Sequence, residues 1–203
     1  MYIPKAYRND DAAQLVGFMR EHSFATLVSI VEGAPFASHI PLVVTVDDQA
    51  IRLTGHLAKA NPQWHAFGEA ESLAIFSGPH AYVSPALYTQ HESVPTWNYI
   101  AVHAYGVPVP IMLDDQPERT EAMLATMIAT YEQAYQQQWD ELPAKYRSGM
   151  MQGIVGFELV VSRLEGKYKL SQNRSALDQH TVAAALHEHG DAAAREIGAA
   201  MEG

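Results

Sequence analysis

Apolar residues at Leu15, Phe18 and Met19, with His22 one turn further, recur at i, i+3, i+4 and i+7 and predict a first helix with one buried stripe, capped by Asn9 or Asp10. After it the period drops to that of a strand. Ala25 to Ile30, Ala37 to Val46 and Ala50 to Gly55 are rich in Val, Ile, Leu and Thr, and Glu32-Gly33-Ala34-Pro35 and Asp47-Asp48-Gln49 separate them as hairpin connections would. These three segments predict an antiparallel meander. Asn61-Pro62 opens a short helix through Trp64 and Phe67, Ser72 to Ser77 reads as a strand stopped by Gly78-Pro79, and Tyr99 to Val107 reads as another. A long helix is expected from about Glu118 to Trp139, with Leu124, Met127, Ile128, Tyr131 and Tyr135 on one face. Ile154 to Val161 and Lys167 to Leu170 return to the sheet pattern. Ser175 with Asp178 three residues on has the form of a capping box and starts a helix ending near Gly190, and an Ala-rich helix from Asp191 follows.

Strands that do not alternate one-for-one with helices disfavour a parallel, doubly wound sheet. They favour a mainly β, α+β architecture: an antiparallel barrel with peripheral helices over residues 1–175 and a helical tail over 176–203. With 203 residues and 48% apolar content the chain can bury a substantial core. Its 13 Lys+Arg against 23 Asp+Glu give a formal charge of -10, so its long-range field repels phosphate backbones and direct DNA binding would need a local basic patch. The absence of Cys excludes disulfides, thiolate metal sites and cysteine nucleophiles. No apolar run reaches the ~18 residues of a membrane span, and no export signal opens the sequence, so a cytoplasmic protein is expected.

Four segments carry candidate chemistry. In Val94-Pro95-Thr96-Trp97-Asn98-Tyr99 an extended backbone would send Thr96 and Asn98 to one face and Trp97 and Tyr99 to the other, a pattern that suits a flat polar ligand or an aromatic core strand. In Thr54-Gly55-His56-Leu57-Ala58-Lys59-Ala60-Asn61-Pro62 a strand ends at Gly and Lys59 precedes a helix start, where free backbone amides would also attract an anion; the plain alternative is a capped helix with a solvated Lys. Arg163 to Arg174 holds four of the 13 basic residues, and strand alternation would put Arg163, Lys167, Lys169, Ser171 and Asn173 on one face, either as an anion-binding stripe or as a protected edge strand. Gly78 to Tyr88 is too punctuated for a simple strand and reads as an aromatic segment folded back over something, the plain alternative being an Ω-like loop packed on its own side chains. The ten His residues form no His-Glu-x-x-His pair, so no metal site is expected, and no phosphate-binding, dinucleotide or nucleophile-elbow motif is present.

Taken in order, Met1-Tyr2-Ile3-Pro4, His39-Ile40-Pro41-Leu42, Gly55 to Pro62, Gly78-Pro79-His80-Ala81-Tyr82-Val83-Ser84-Pro85, Val94 to Tyr99 and Gly166-Lys167-Tyr168-Lys169-Leu170-Ser171-Gln172-Asn173 resemble the PaiB-type family of FMN-binding negative transcriptional regulators. The resemblance implies a split β-barrel related to pyridoxamine 5′-phosphate oxidases, and a homodimer with FMN at the subunit interface. It implies cofactor contacts at His39, Ile40, Pro41, Gly55, His56, Lys59 and Asn61, and at Trp97, Asn98, Tyr99, Lys169, Leu170, Ser171 and Gln172. Lys59 would take the phosphate, helped by a second cation from Lys167, Lys169 or Arg174, and the later residues would approach the ring or its edge. Flavin-dependent oxidoreductase activity follows as one expectation. The alternatives are a repressor acting through DNA or a protein partner, and a haem-binding barrel with His39, His56 or His80 as axial ligand.

Overall fold

Asp11, rather than Asn9 or Asp10, caps the first helix. In the computed structural model, which describes residues 1–47 and 50–202, a short strand β1 (Arg8–Asn9) leads into α1 (Ala12–Glu21). The Asp11 carboxylate accepts from the N–H groups of Ala13 at 2.9 Å and Gln14 at 3.1 Å, closing the first turn. Leu15, Phe18 and Met19 are buried, as their spacing requires. β2 (Phe24–Val31) and β3 (Ala34–Pro41) pair antiparallel along their whole length. Their turn is Glu32-Gly33 alone, with φ of 50° and 80°, the two-residue geometry that matches strand twist. Ala34 and Pro35 belong to β3, an edge strand on which the missing proline donor is tolerated.

The single strand expected from Ala37 to Val46 is two strands. β3 stops at Pro41, and β4 (Val43–Asp47) begins in another sheet. Leu42 between them is buried and its N–H donates to Ser23 O at 2.9 Å, so the apolar run turns a corner there. Asp48 and Gln49 of the expected turn lie outside the described residues. β5 (Ala50–Ala58) follows, and Asn61 then caps a 3-10 turn, Pro62–Ala66, in place of the expected helix.

β6 (Ser72–Val83) runs through Gly78-Pro79, where the sequence predicts a stop. Glycine is needed at that point because a Cβ would lie 2.5 Å from the Phe18 ring. The expected loop from Gly78 is therefore strand as far as Val83, then a 3-10 turn at Pro85–Leu87. β7 (Thr96–Gly106) is followed by β8 (Pro108–Ile111), a strand masked in the sequence by two prolines and tolerated because it lies at a sheet edge. The expected long helix is three: α2 (Pro117–Tyr131), α3 (Tyr135–Glu141) and α4 (Ala144–Gln152). Glu132 leaves helical geometry with φ -157° and ψ 78°, and the buried stripe of α2 is Thr120, Met123 and Met127, while Tyr131 is 48% exposed. β9 (Ile154–Val160), β10 (Arg163–Lys169), α5 (Ala176–His187) and α6 (Ala192–Glu202) complete the described chain.

Two compact units emerge. The first comprises residues 1–18, 77–103 and 165–202. In it β1 pairs antiparallel with β10 (Arg8↔Lys167, Asn9↔Gly166), β7 lies beside β10, and Val182 and Leu186 of α5 and Ile197 of α6 are buried. The second comprises residues 19–76 and 104–164. There β2 lies between β3 and the first half of β6, and a four-stranded antiparallel sheet has the order β4-β5-β9-β8. Its core includes Leu27, Leu53, Phe76, Phe157 and Leu159, with the Phe67 and Phe157 rings 5.1 Å apart, and α2 lays Met123 and Met127 on Val43. Each such side chain contributes about 1.5–3 kcal/mol of burial. No helix among the described residues is long and apolar enough to cross a membrane.

At Gly166 an added Cβ would lie 2.3 Å from Leu15 Cδ2 and 2.7 Å from Asn9 O, so relief requires moving the β1 backbone. Gly166→Ala is therefore predicted to destabilise the fold by ~1–3 kcal/mol, measured as a lowered urea midpoint.

Candidate functional site

In the second unit, β5 delivers Gly55, His56 and the loop that carries Lys59. Gly55 packs close to the β3 end, for a Cβ there would meet Leu42 Cδ2 at 2.8 Å and Pro41 O at 3.2 Å. The loop is fixed from both sides. Lys59 N–H donates to Gly153 O at 2.8 Å, Asn61 N–H to Ala58 O at 2.8 Å, and Gln63 N–H to Asn61 Oδ1 at 2.9 Å. Asn61 Nδ2 donates to Ser38 Oγ at 2.8 Å, and Trp64 Nε1 to Lys59 O at 3.0 Å. The backbone amides of Lys59, Asn61 and Gln63 are thus spent inside the protein, which removes them from the expected anion cradle and leaves the exposed Lys59 ammonium as its cation. His39 is exposed and its Nδ1 lies 3.0 Å from Thr26 Oγ1, whereas Ile40 is core. His56 has a buried Nδ1 without a hydrogen-bond partner among the described residues, and burial holds its pKa below the usual histidine value, which favours the neutral ring.

In the first unit, strand alternation sends Asn98 inward and Trp97 outward. Asn98 is fully buried, and its Nδ2 donates to Ser171 Oγ at 2.9 Å and reaches Met201 Sδ at 3.6 Å. Its amide is thus engaged within the fold, and the residue lines a small pocket with Lys169 and Arg174. Trp97 is 52% exposed, with the His80 and Tyr82 rings each 5.9 Å from its own. Lys169 Nζ donates to Trp97 O at 2.7 Å and to the Thr96 hydroxyl. Burial, and then the charge of Lys167, hold the Lys169 pKa below the usual lysine value. Leu170 is buried, and Gln172 clamps the turn: its Oε1 accepts from Leu170 N–H at 2.8 Å and its Nε2 donates to Tyr168 O at 2.6 Å. Ser171 sits at φ 63°, a left-handed conformation unusual outside glycine.

The expected basic stripe does not form. Lys167 is 8% exposed, donates to Tyr2 O at 3.1 Å and lies 5.0 Å from the centre of the Tyr99 ring. Arg163 belongs to the second unit, 3.5 Å over the Tyr105 ring and 3.5 Å from Glu71. β10 lies between β1 and β7 and so is not the protected edge strand either. Two partnerships escaped the sequence reading. Arg174 stacks 3.9 Å over the Tyr88 ring, and the Asp178 carboxylate accepts from Thr89 N–H at 2.8 Å and Thr89 Oγ1 at 3.0 Å. The Ser175/Asp178 spacing signals a helix start, and Ser175 Oγ does accept from Asp178 N–H at 3.1 Å, but nothing local reveals that the carboxylate is used on Thr89.

Residues 1–163 match the family described as “Putative FMN-binding domain”. The chain is 38% identical over 205 residues to protease synthase and sporulation protein PAI 2 of Bacillus subtilis (strain 168), covering 100% of this chain and 97% of that protein. Among solved structures it is similar to the flavocytochrome Anf3 from Azotobacter vinelandii, with a TM-score of 0.59 at 14% identity over 82% of this chain and 72% of that one. The FAD and haem binding protein from Mycobacterium smegmatis gives a TM-score of 0.58 at 17% identity, over 80% and 73%. At these identities the likeness shows the fold, an antiparallel split barrel with added helices.

Asp178 supplies a pH signature. Its hydrogen bond from Thr89 N–H, foremost, holds its pKa below the usual carboxylate value. A lowered folded pKa stabilises the protein above the unfolded value of about 3.9, and that stabilisation is lost as pH falls through the folded value. Asp178→Asn is predicted to lower the urea midpoint at neutral pH, with the gap to wild type closing below about pH 4. A gap independent of pH contradicts this.

Proposed function

The chain belongs to the FMN-binding domain family, and from that premise we propose that it is a cytoplasmic homodimer that anchors the phosphate of FMN on Lys59. The observation that carries the anchor is an exposed ammonium on a loop whose backbone is pinned by Gly153 O, Ala58 O and the Asn61 side chain. The donor set fits a phosphate reached through side chains, since a charge-assisted bond from Lys59 needs no free amide. His56, whose buried Nδ1 has no hydrogen-bond partner among the described residues, lies on the strand that leads to this loop. When bound, FMN supplies two-electron redox chemistry, and the chain's residues bind and orient it. Within the first unit Trp97 keeps an exposed face beside Tyr99, and hydrogen bonds of Asn98, Ser171 and Gln172 hold the adjoining backbone.

Apolar surface supports the dimer. Phe24 and Ile30 on β2, and Val46, Val109 and Val160 on the second sheet, are exposed. A second copy that covers them and helps wall the flavin removes that surface from water. Direct DNA binding is not part of the proposal. With a charge of -10 and with Lys167 buried and Arg163 facing Glu71, the chain offers few cations to phosphates.

FMN is predicted to bind more tightly than riboflavin in a fluorescence-quenching titration, and equal affinities overturn the phosphate anchor. Lys59→Ala is expected to weaken FMN by ~1–3 kcal/mol, the range for losing a charge-assisted hydrogen bond, with little change in urea midpoint because the side chain is exposed. An unchanged affinity places the phosphate elsewhere. Sedimentation at micromolar concentration is expected to give a dimer; a monomer with flavin still bound contradicts the shared site.

A further inference from the structure

Lys169 and Arg174 line one pocket of the first unit, with a volume of about 190 Å³, together with Tyr7, Thr96, Asn98, Ser171 and Asn173. At roughly 30 Å³ per water, that space holds about six waters, which suits a small organic acid or a phosphate group. Among the described residues no carboxylate lines it, although the whole chain carries a charge of -10. Asp178 lies near enough to Arg174 for the two charges to attract, and gives its carboxylate to the N–H and hydroxyl of Thr89.

The donors are held in place. An ammonium has three N–H donors; two of those on Lys169 go to Trp97 O and the Thr96 hydroxyl, leaving one. Arg174 is fixed by its stacking on Tyr88, a contact that uses the guanidinium face and leaves its N–H edge for an oxyanion. The left-handed turn at Ser171, locked by the buried Asn98 amide, brings Asn173 and Arg174 round to the pocket that Lys169 lines. Backbone held in such a sparsely populated conformation gathers at ligand clamps. Lys167 and Lys169 also repel each other with desolvation added, a cost that a bound anion offsets.

We propose that this pocket is a subsite for the carboxylate or phosphate group of a small acidic molecule, separate from the flavin phosphate anchor at Lys59. Its role as the place where an acidic substrate is held rests on the flavin reading above. Its capacity to bind an oxyanion does not, and the test separates the two.

The full chain, stripped of flavin, is titrated by calorimetry with inorganic phosphate and with succinate. Saturable binding of one or both in about the millimolar range is expected. Arg174→Gln and Lys169→Met are each expected to weaken it at least about tenfold, while saturable binding persists in Lys59→Ala, which lacks the proposed flavin anchor. Arg174 is half-buried, so its variant carries the test should Lys169→Met fail to fold. Three results overturn the proposal: no saturable binding of either probe by folded wild type, binding that survives Arg174→Gln, or binding lost in Lys59→Ala or displaced by FMN and not by riboflavin. The last hands the pocket to the flavin phosphate. A protein that binds phosphate or succinate as expected but takes up no FMN overturns the flavin reading alone.

Discussion

A buried amide paired with a hydroxyl organises the first unit. Asn98 has no exposed surface, and its contacts to Ser171 and Met201 tie β7 both to the turn after β10 and to α6. Removing one partner of such a pair leaves the other desolvated and unsatisfied, at about 1–3 kcal/mol. More depends on it than stability. The turn holds Ser171 at φ 63°, and Lys169 and Arg174 lie on its two sides. An asparagine does comparable work in the second unit, where Asn61 fixes the loop of Lys59 by accepting from Gln63 N–H and donating to Ser38. Each proposed anion contact thus stands on a short segment made rigid by a neutral amide.

The two lysines differ in their physics. Lys59 is exposed and solvated, so its charge adds affinity for a phosphate without a desolvation cost in the empty protein. Lys169 is partly desolvated, bonded at two of its three donors and set near a second cation, so it is biased toward an incoming negative charge. Against a net charge of -10 these local cations favour small anions, whose contact is short-ranged, over a polyanion that feels the whole field.

Much of this was legible in the residues. The α1 stripe of Leu15, Phe18 and Met19, the strand character of β2, β5, β7 and β9 and the Asn61 cap follow from local periodicity and capping chemistry. Errors arose where a distant partner decides. Gly78-Pro79 is a stop signal by itself, yet the Phe18 ring fills the space a side chain would take and the strand continues. Leu42 looks like one more strand residue until its burial at a corner sends β4 to another sheet. The helical region after Pro117 was misread because polar Gln and Glu carry no periodicity, and Thr120, Met123, Met127 and Met151 mark where the helices touch the core. At the sites, the position of Lys59 was readable, but the capture of its N–H by Gly153 O was not. The exposed stripe expected at Lys167 and Lys169 did not form because β10 lies inside the sheet, with Lys167 drawn under Tyr2 and Tyr99.

The central claim is that this barrel is a flavoprotein whose cofactor is FMN. The visible absorption spectrum tests it most directly, recorded on freshly purified protein and again after incubation with FMN and with haem, each followed by gel filtration. The structure predicts a flavin spectrum retained in stoichiometric amount with the protein peak, released on denaturation as FMN. Loss of all flavin on the column, or retention of haem with its intense Soret band in place of flavin, contradicts it.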